Sequence, residues 1–286
     1  EGFKTTTNTE TSGRYHTNWL NMMYPRLKLA RNLLRDDGVI FISIDDHEQA
    51  SLRKLCDEIF GEESFIGCIC WQKKYAPSND TIDLSPSHDF IICYSRTSSS
   101  PERTPILNRL PRSEKMDKPY KNPDGDVRGR WRPDNYLCNK SADQRPNLYY
   151  PVVNPNTGEE IWPSRSAVWR YSKEQHERHV VENRVWWGKE GIGRVPAFKR
   201  FLSDVPGQMP TTWWSFEDVG HNDEAKKELN ALVGGVAPSF DTPKPVRLLS
   251  RMLELSVATD NDIVLDFFAG SGTTAHASMK FSSENS

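Results

Sequence analysis

Apolar residues follow two rhythms along this chain, and the rhythm changes mark its elements. Trp19, Leu20, Met22, Met23, Leu27, Leu29, Ala30, Leu33 and Leu34 recur at helical spacing, which predicts a helix to about Leu34. Pro25 lies inside this stretch and predicts a kink, or two helices meeting there. Arg35-Asp36-Asp37-Gly38 stops the pattern, with Gly38 as the C-terminal cap. Val39-Ile40-Phe41-Ile42-Ser43-Ile44 then reads as a buried strand, closed by Asp45-Asp46-His47-Glu48. A second helix over Glu48–Phe60 carries Leu52, Leu55 and Ile59 and ends at Gly61. Phe65–Trp71 and Asp89–Tyr94 read as strands. Helix alternating with strand predicts an α/β fold with a largely parallel sheet. Asp45 and Asp46 stand at a strand end, where such proteins bind ligands, although Asp is equally a turn former that ends a strand.

The pattern breaks at Arg96. Thr97-Ser98-Ser99-Ser100-Pro101 has linker composition, and residues 101–160 are rich in Pro, Gly, Asn and charge. Asn154-Pro155-Asn156-Thr157-Gly158 separates two strand-like runs and predicts a hairpin. Residues 172–183 form a short helix, and Val185-Trp186-Trp187-Gly188 and Thr211-Thr212-Trp213-Trp214 form aromatic strands. Trp186, Trp187, Trp213 and Trp214 are expected in a core rather than as stacking platforms. The first texture then returns. Asn222–Val233 is a helix with Asn222 as its cap, and Val246–Leu255 is another, with Pro245 in its first turn. We therefore expect residues 1–96 and 238–286 to build one core. Residues 97–237 would be an inserted, mixed α+β domain.

Charge sharpens that division. The formal net charge is −2, yet residues 105–205 carry 19 Lys and Arg against 13 Asp and Glu, a balance of +6, which leaves −8 for the remainder. A basic, aromatic-rich middle suggests an anionic partner. Arg128, Arg130, Trp131 and Arg132 form its densest basic–aromatic cluster, suited to phosphate contact and stacking; a charged solvated loop has the same composition. The five cysteines make an odd count with no Cys-x-x-Cys, so neither a zinc site nor a disulfide framework is indicated, and a reducing cytoplasm is the simplest location. No run has the length of a membrane span.

The stretch with most chemical content is Ile263-Val264-Leu265-Asp266-Phe267-Phe268-Ala269-Gly270-Ser271-Gly272-Thr273-Thr274-Ala275. It reads as a short buried strand, a turn with two glycines and a helix start. Gly270 and Gly272 open backbone angles closed to other residues, and Thr273 and Thr274 are placed to cap the helix. Such a turn offers backbone N–H groups and the positive end of a helix dipole to a carboxylate or phosphate. Asp266 is placed to accept hydrogen bonds from an amine or hydroxyl of the same ligand. The phosphate-binding P-loop is excluded because no Lys follows Gly272. The dinucleotide fingerprint would place a third glycine at Ala275, where alanine is sometimes tolerated.

The nine residues Asp266–Thr274, Asp-Phe-Phe-Ala-Gly-Ser-Gly-Thr-Thr, resemble the S-adenosylmethionine loop of amino-methylating DNA methyltransferases. Three blocks, His16–Glu48, His88–Tyr94 with the preceding Trp71-Gln72-Lys73-Lys74, and Phe240–Ala277, which contains this loop, extend the likeness to the modification subunit of bacterial type III restriction–modification systems. Thr211-Thr212-Trp213-Trp214 and Gly220-His221-Asn222-Asp223 fit the same family. The loop lies C-terminal to the blocks of the catalytic half, the permuted order of the β group. The resemblance implies an S-adenosylmethionine-dependent methyltransferase fold, α/β with a doubly wound, mostly parallel sheet. It also implies methyl transfer to the exocyclic amine of adenine in double-stranded DNA, with a restriction (helicase/nuclease) subunit and a second copy of the chain as partners. It assigns the cofactor to Asp266, Phe267, Phe268, Gly270, Gly272, Thr273 and Thr274, with Thr242, Lys244 and Pro245 beside its methionine moiety. Residues 97–237 become the target-recognition insertion.

The family's catalytic Asp-Pro-Pro-Tyr is absent from these residues. We expect it before Glu1, and the acidic residue that holds the cofactor ribose after Ser286, so no catalytic residue is assigned within the chain and these residues alone are not expected to methylate DNA. Two further readings stay open: a fragment that binds cofactor and DNA without catalysis, and a methyltransferase of the cytosine amine. A small-molecule methyltransferase would not need the basic insertion.

Overall fold

The computed structural model describes residues 16–77, 81–97, 105–234, 240, 242–256 and 261–285. The polar residues 1–15 and most of the expected linker lie outside them. The chain divides into two compact units, Glu1–Leu110 with Met209–Ser286, and Pro111–Gln208. Both boundaries fall inside the 97–237 span marked out by composition.

The first unit opens with α1 (Thr17–Leu33), β1 (Val39–Ile44), α2 (Gln49–Phe60), β2 (Phe65–Gln72) and β3 (His88–Ser95). α1 runs through Pro25 as one helix, so two helices do not meet there. A proline removes one backbone bond, and here Met23, Leu27 and Ala30 are buried on one face to hold the helix. Gly38 is not its cap. The helix ends at Leu33, Leu34 is extended, and Gly38 closes a turn by donating its N–H to the Arg35 carbonyl. That turn is crowded: a Cβ on Gly38 would stand 3.0 Å from Arg35 O. α1 and α2 pack Met23, Leu27, Leu52, Leu55, Cys56 and Phe60 with Ile92 and Tyr94 of β3.

The second unit holds α3 (Glu114–Asp117), β4 (Trp131–Asn135), β5 (Leu137–Cys138), β6 (Val152–Val153), β7 (Glu160–Ile161), β8 (Val168–Trp169), α4 (Lys173–Val181), β9 (Val185–Trp186) and β10 (Ala197–Phe201). β10 lies between β4 and β9, antiparallel to both. The hairpin expected around Asn154–Gly158 is β6 paired with β7. A capping box fixes the start of α4: Ser172 Oγ accepts from Gln175 N, and the Gln175 side chain accepts from Ser172 N. Tyr136, Tyr150, Val152, Trp169 and Trp187 form the core.

The first unit resumes with β11 (Trp213–Trp214), α5 (Phe216–Val219), α6 (Asn222–Leu232), α7 (Val246–Ser256) and α8 (Thr273–Asn285). The cap of α6 is His221, whose Nδ1 accepts from Glu224 N, and not Asn222. Trp214 is buried, whereas Trp213, on the other face of the same short strand, is exposed and does not join a core.

The sheet of this unit has the order β1-β3-β2-β11. It is mixed rather than mostly parallel. β3 pairs antiparallel with both β1 and β2, and β11 pairs parallel with β2. The reason is the connection from β2 to β3: its described residues hold no helix, and it returns the chain between β1 and β2. The strand expected at Ile263–Leu265 does not form. These residues are 94%, 43% and 59% exposed, and among the described residues none pairs with them. A strand takes its definition from a hydrogen-bonded neighbour, and an apolar run without one stays open to solvent.

Candidate functional site

β1, β2 and β11 point the same way, because β1 and β2 are each antiparallel to β3 and β11 is parallel to β2. Their carboxyl ends share one sheet edge: Ile44 pairs with Phe90, Gln72 with His88 and Trp214 with Trp71. Ligands of α/β proteins bind along such an edge. Asp45 and Asp46 follow β1 there, Lys73–Tyr75 follow β2, and Ser215–His221 follow β11. Asp45 accepts from the backbone N–H of His47 at 3.1 Å and contacts its Nδ1 at 3.1 Å, so its visible work is to close the turn.

At the same edge Asp89, only 8% exposed, holds two lysines. Lys73 Nζ donates to it at 2.6 Å and Lys244 Nζ at 3.1 Å. The Lys244 ammonium also lies 4.6 Å from the centroid of the Trp71 ring, whose Nε1 donates to the Gly220 carbonyl at 3.0 Å. Gly220 has φ +82°, and a Cβ there would come within 2.8 Å of Pro245 Cβ. The stretch 242–245 is thus fastened to the ends of β2 and β3, with Pro245 buried and Thr242 exposed. Sequence reasoning singled out Lys244 and missed Asp89, its partner 155 positions away. The only available signal was a carboxylate in an otherwise apolar strand.

The glycine loop precedes α8. Gly270 and Gly272 have φ +54° and +75°, the left-handed region the sequence called for. Asp266 closes the loop: Oδ1 accepts from Phe268 N at 3.0 Å and Oδ2 accepts from Thr274 Oγ1 at 2.6 Å. Thr273 Oγ1 meets Ser271 Oγ at 2.9 Å. The threonine hydroxyls therefore tie the loop together and do not cap the helix as expected. The first backbone bond into α8 is His276 N to Gly272 O, so the N–H groups of Thr273, Thr274 and Ala275 precede the ladder. The Asp266 carboxylate is exposed, and its two bonds use about half of its four lone-pair sites. Phe267 and Phe268 are partly exposed, their centroids 5.2 Å apart, and the Arg26 guanidinium lies 5.9 Å over Phe268. A Cβ on Gly270 would stand 3.0 Å from Phe240 Cζ, whereas one on Gly272 would meet open space. Backbone exposed at Gly272, spare acceptor capacity on Asp266 and N–H groups ahead of α8 fit a ligand carrying a carboxylate and an amine. Phe240 opens the block that carried the family resemblance but was not among the residues assigned to the cofactor.

In the second unit the basic cluster divides. Trp131 is fully buried; its Nε1 donates to Asn122 and Asp124, and its ring packs edge-on against Trp186 at 5.2 Å. It is a core residue, and its expected role as a base platform is corrected on that ground. Arg128 is held by its neighbours: it donates to Asp126 Oδ2 at 2.7 Å and to the carbonyls of Glu182 and Asn183 at 2.7 and 3.0 Å. Its guanidinium drives the Asp126 carboxyl far below the usual carboxylate range. Arg130 is exposed. Arg132 is half-buried, 5.5 Å over the Tyr120 ring, and its buried Nε has no hydrogen-bond partner among the described residues. Beneath the cluster Lys199, buried between Trp131 and Trp186, pairs with Asp124 and Asp126.

A glycine turn before a helix and a ligand edge at parallel strand ends define an α/β protein built to hold a small ligand. Residues 3–284 match the DNA methylase family, and the chain belongs to it. It is 38% identical over 271 residues to the Mod subunit of the type III restriction-modification enzyme StyLTI of Salmonella typhimurium, a match covering 94% of this chain and 39% of that protein. It is 30% identical to the EcoPI Mod subunit of Escherichia phage P1, over 92% of this chain and 43% of that one. It is likewise 30% identical to the type II methyltransferase M.KpnI of Klebsiella pneumoniae, over 94% and 64%. The chain thus spans from 39% to 64% of these three relatives. Among the described residues no helix is long and apolar enough to cross a membrane.

Proposed function

We propose that this chain is the cofactor-holding and DNA-contacting part of a modification methyltransferase directed at the exocyclic amine of adenine in duplex DNA. The observation that carries this reading is the loop Asp266–Thr274. A carboxylate–hydroxyl bond of 2.6 Å closes it, two left-handed glycines open its backbone, and α8 begins directly behind. When bound, S-adenosylmethionine supplies an activated methyl group. Asp266 keeps acceptor sites for the ligand's amine, and the N–H groups of Thr273, Thr274 and Ala275 suit its carboxylate. Phe267 and Phe268 offer ring faces to its apolar parts. Asp89 holds Lys244 at the carboxyl edge of the sheet, which supports assigning Thr242, Lys244 and Pro245 to the methionine moiety.

For DNA the reading rests on Arg130 and Arg132 of the Pro111–Gln208 unit, within a stretch whose surrounding charge balance is +6. The likeness to Mod subunits supports work as one subunit of an assembly, beside a restriction subunit and a second copy of the chain, in the cytoplasm. Calorimetric titration with S-adenosylhomocysteine tests the cofactor assignment. The wild-type chain should bind and Asp266→Ala should not, with its melting temperature unchanged. Equal heats for the two proteins would show that the ligand does not use this loop.

A further inference from the structure

One face of the second unit gathers more positive charge than its carboxylates balance. Arg132 of β4 stands directly opposite Arg200 of β10 in the antiparallel register. Residues paired in this way point to the same face, about 4.5–5.5 Å apart at Cβ, and like charges there weaken the sheet. Arg200 is relieved by Asp134, whose Oδ2 accepts from its Nε at 2.7 Å and lies 3.6 Å from Arg170. Arg132 has no such relief. It is half-buried, its Nε is closed off from solvent, and it makes no hydrogen bond or ion pair among the described residues. A buried donor without an acceptor is a cost to the fold, so packing alone does not account for an arginine at this position.

The Arg132 guanidinium is nonetheless held in place. It lies 5.5 Å over the Tyr120 ring, and the Arg112 guanidinium lies 5.4 Å from the same centroid. Tyr120 is buried, which fixes the ring. Arg112 is anchored in turn: its Nε donates to Asp117 Oδ1 at 2.8 Å and its Nη2 to the Met116 carbonyl at 3.1 Å. Arg112, Arg132, Arg170 and Arg200 thus meet the two carboxylates of Asp117 and Asp134, a surplus of two positive charges in this set. A guanidinium pre-set by a ring, with its donors unspent and a second arginine opposite, is the chemistry of an oxyanion site. Its planar fork matches two oxygens of a phosphate.

We propose that Arg132, with Arg200 opposite it and Arg112 beside the Tyr120 ring, forms a phosphate site that the two facing arginines share for one phosphate of the DNA backbone. The proposal rests on the DNA reading above. The test is fluorescence anisotropy of the 286-residue chain on one labelled duplex from about 50 to 200 mM salt, with Arg132→Met, Arg200→Met and the double variant. Methionine keeps the apolar stem of the side chain. Each single variant should flatten the slope of log affinity against log salt by about 0.9, and the double variant by the same amount rather than twice it, because one phosphate is shared. Arg132→Lys, which keeps the charge, should retain the slope. The melting temperature of Arg132→Met should not fall, since Arg132 has no hydrogen bond to lose and its removal relieves the like-charge pair. Inorganic phosphate should raise the melting temperature of the wild type above its value in chloride of equal ionic strength, and raise that of Arg132→Met less. Losses that add in the double variant would mean two separate phosphates and overturn the shared site. Equal phosphate protection and equal slopes for Arg132→Met and the wild type would overturn the site altogether. A lower melting temperature for Arg132→Met with the slope unchanged would make Arg132 a structural residue stacked on Tyr120. Phosphate protection lost with the slope unchanged would assign the site to a free phosphate group and overturn the assignment to DNA. A wild-type chain that binds no DNA would end the parent reading, and phosphate protection would then still decide the oxyanion site.

Discussion

Arg128 and Arg130 are two residues apart and equally basic, and the structure predicts opposite consequences of removing them. Arg130 is exposed, so Arg130→Ala should change stability by no more than about 0.5 kcal/mol. If it contacts a phosphate, its loss should flatten the slope of log affinity against log salt by about 0.9, and by nearly twice that with Arg132→Ala added. Arg128 already spends its donors on Asp126, Glu182 O and Asn183 O, and its guanidinium lies 4.2 Å over Phe201. Arg128→Ala should leave the salt slope as it is. It should destabilise the second unit by about 1.5–3 kcal/mol, the range for a hydrogen bond to a charged group, because among the described residues Asp126 would keep Lys199 alone as an ionic partner. The assay is anisotropy on one duplex from about 50 to 200 mM salt, with urea unfolding of each variant alongside. An Arg128→Ala slope flattened as much as that of Arg130→Ala would refute the division of roles. An unchanged slope for Arg130→Ala would mean that this arginine is only solvated.

Lys199→Met should cost the second unit about 3 kcal/mol by urea unfolding, the low end for breaking a buried pair, since Asp126 keeps Arg128 and Asp124 keeps the Trp131 N–H. A loss under half of that would show the pair to be solvated. Burial lowers the pKa of both His176 and His179 from 6.5, so the unfolded chain binds more protons in that range. The stability this gives is complete above pH 6.5 and is lost as pH falls below it through the lower native values. Unfolding at about pH 7.5 and about pH 5.5 should show the decline, and replacing both residues by Gln should remove most of it. Gly272→Ala meets open space but needs a left-handed backbone, a strain of about 1–2 kcal/mol, or a 5- to 30-fold loss of cofactor affinity. Gly270→Ala adds a 3.0 Å encounter with Phe240 and should lose more by calorimetry. The reverse order would place Phe240 away from the cradle.

Local rules were legible and long-range ones were not. β1, the short helix expected within residues 172–183 and α7 form where the local pattern placed them. The left-handed glycines of the loop followed from their spacing. The direction of β3 did not, because the β2–β3 connection carries no sign that the chain returns between two strands already formed. The run Ile263–Leu265 has the composition of a buried strand, and composition cannot report whether a partner lies alongside. Trp131 looked like a surface aromatic among arginines. Its ring packs on Trp186 and lies near the Lys199 ammonium, which pairs with Asp124 and Asp126 across 75 and 73 positions. Lys244 was legible through the family resemblance, yet Asp89, which explains its place, lies on a strand far away in sequence.

The most direct test of the central claim, that Asp266–Thr274 holds the methyl donor, is photolabelling of the chain with tritiated S-adenosylmethionine followed by peptide mapping. The label should fall on the peptide that contains Phe267 and Phe268, should be displaced by unlabelled S-adenosylhomocysteine, and should be lost in Asp266→Ala. Displaceable label confined to any peptide outside the stretches 240–245 and 261–280 would contradict the account.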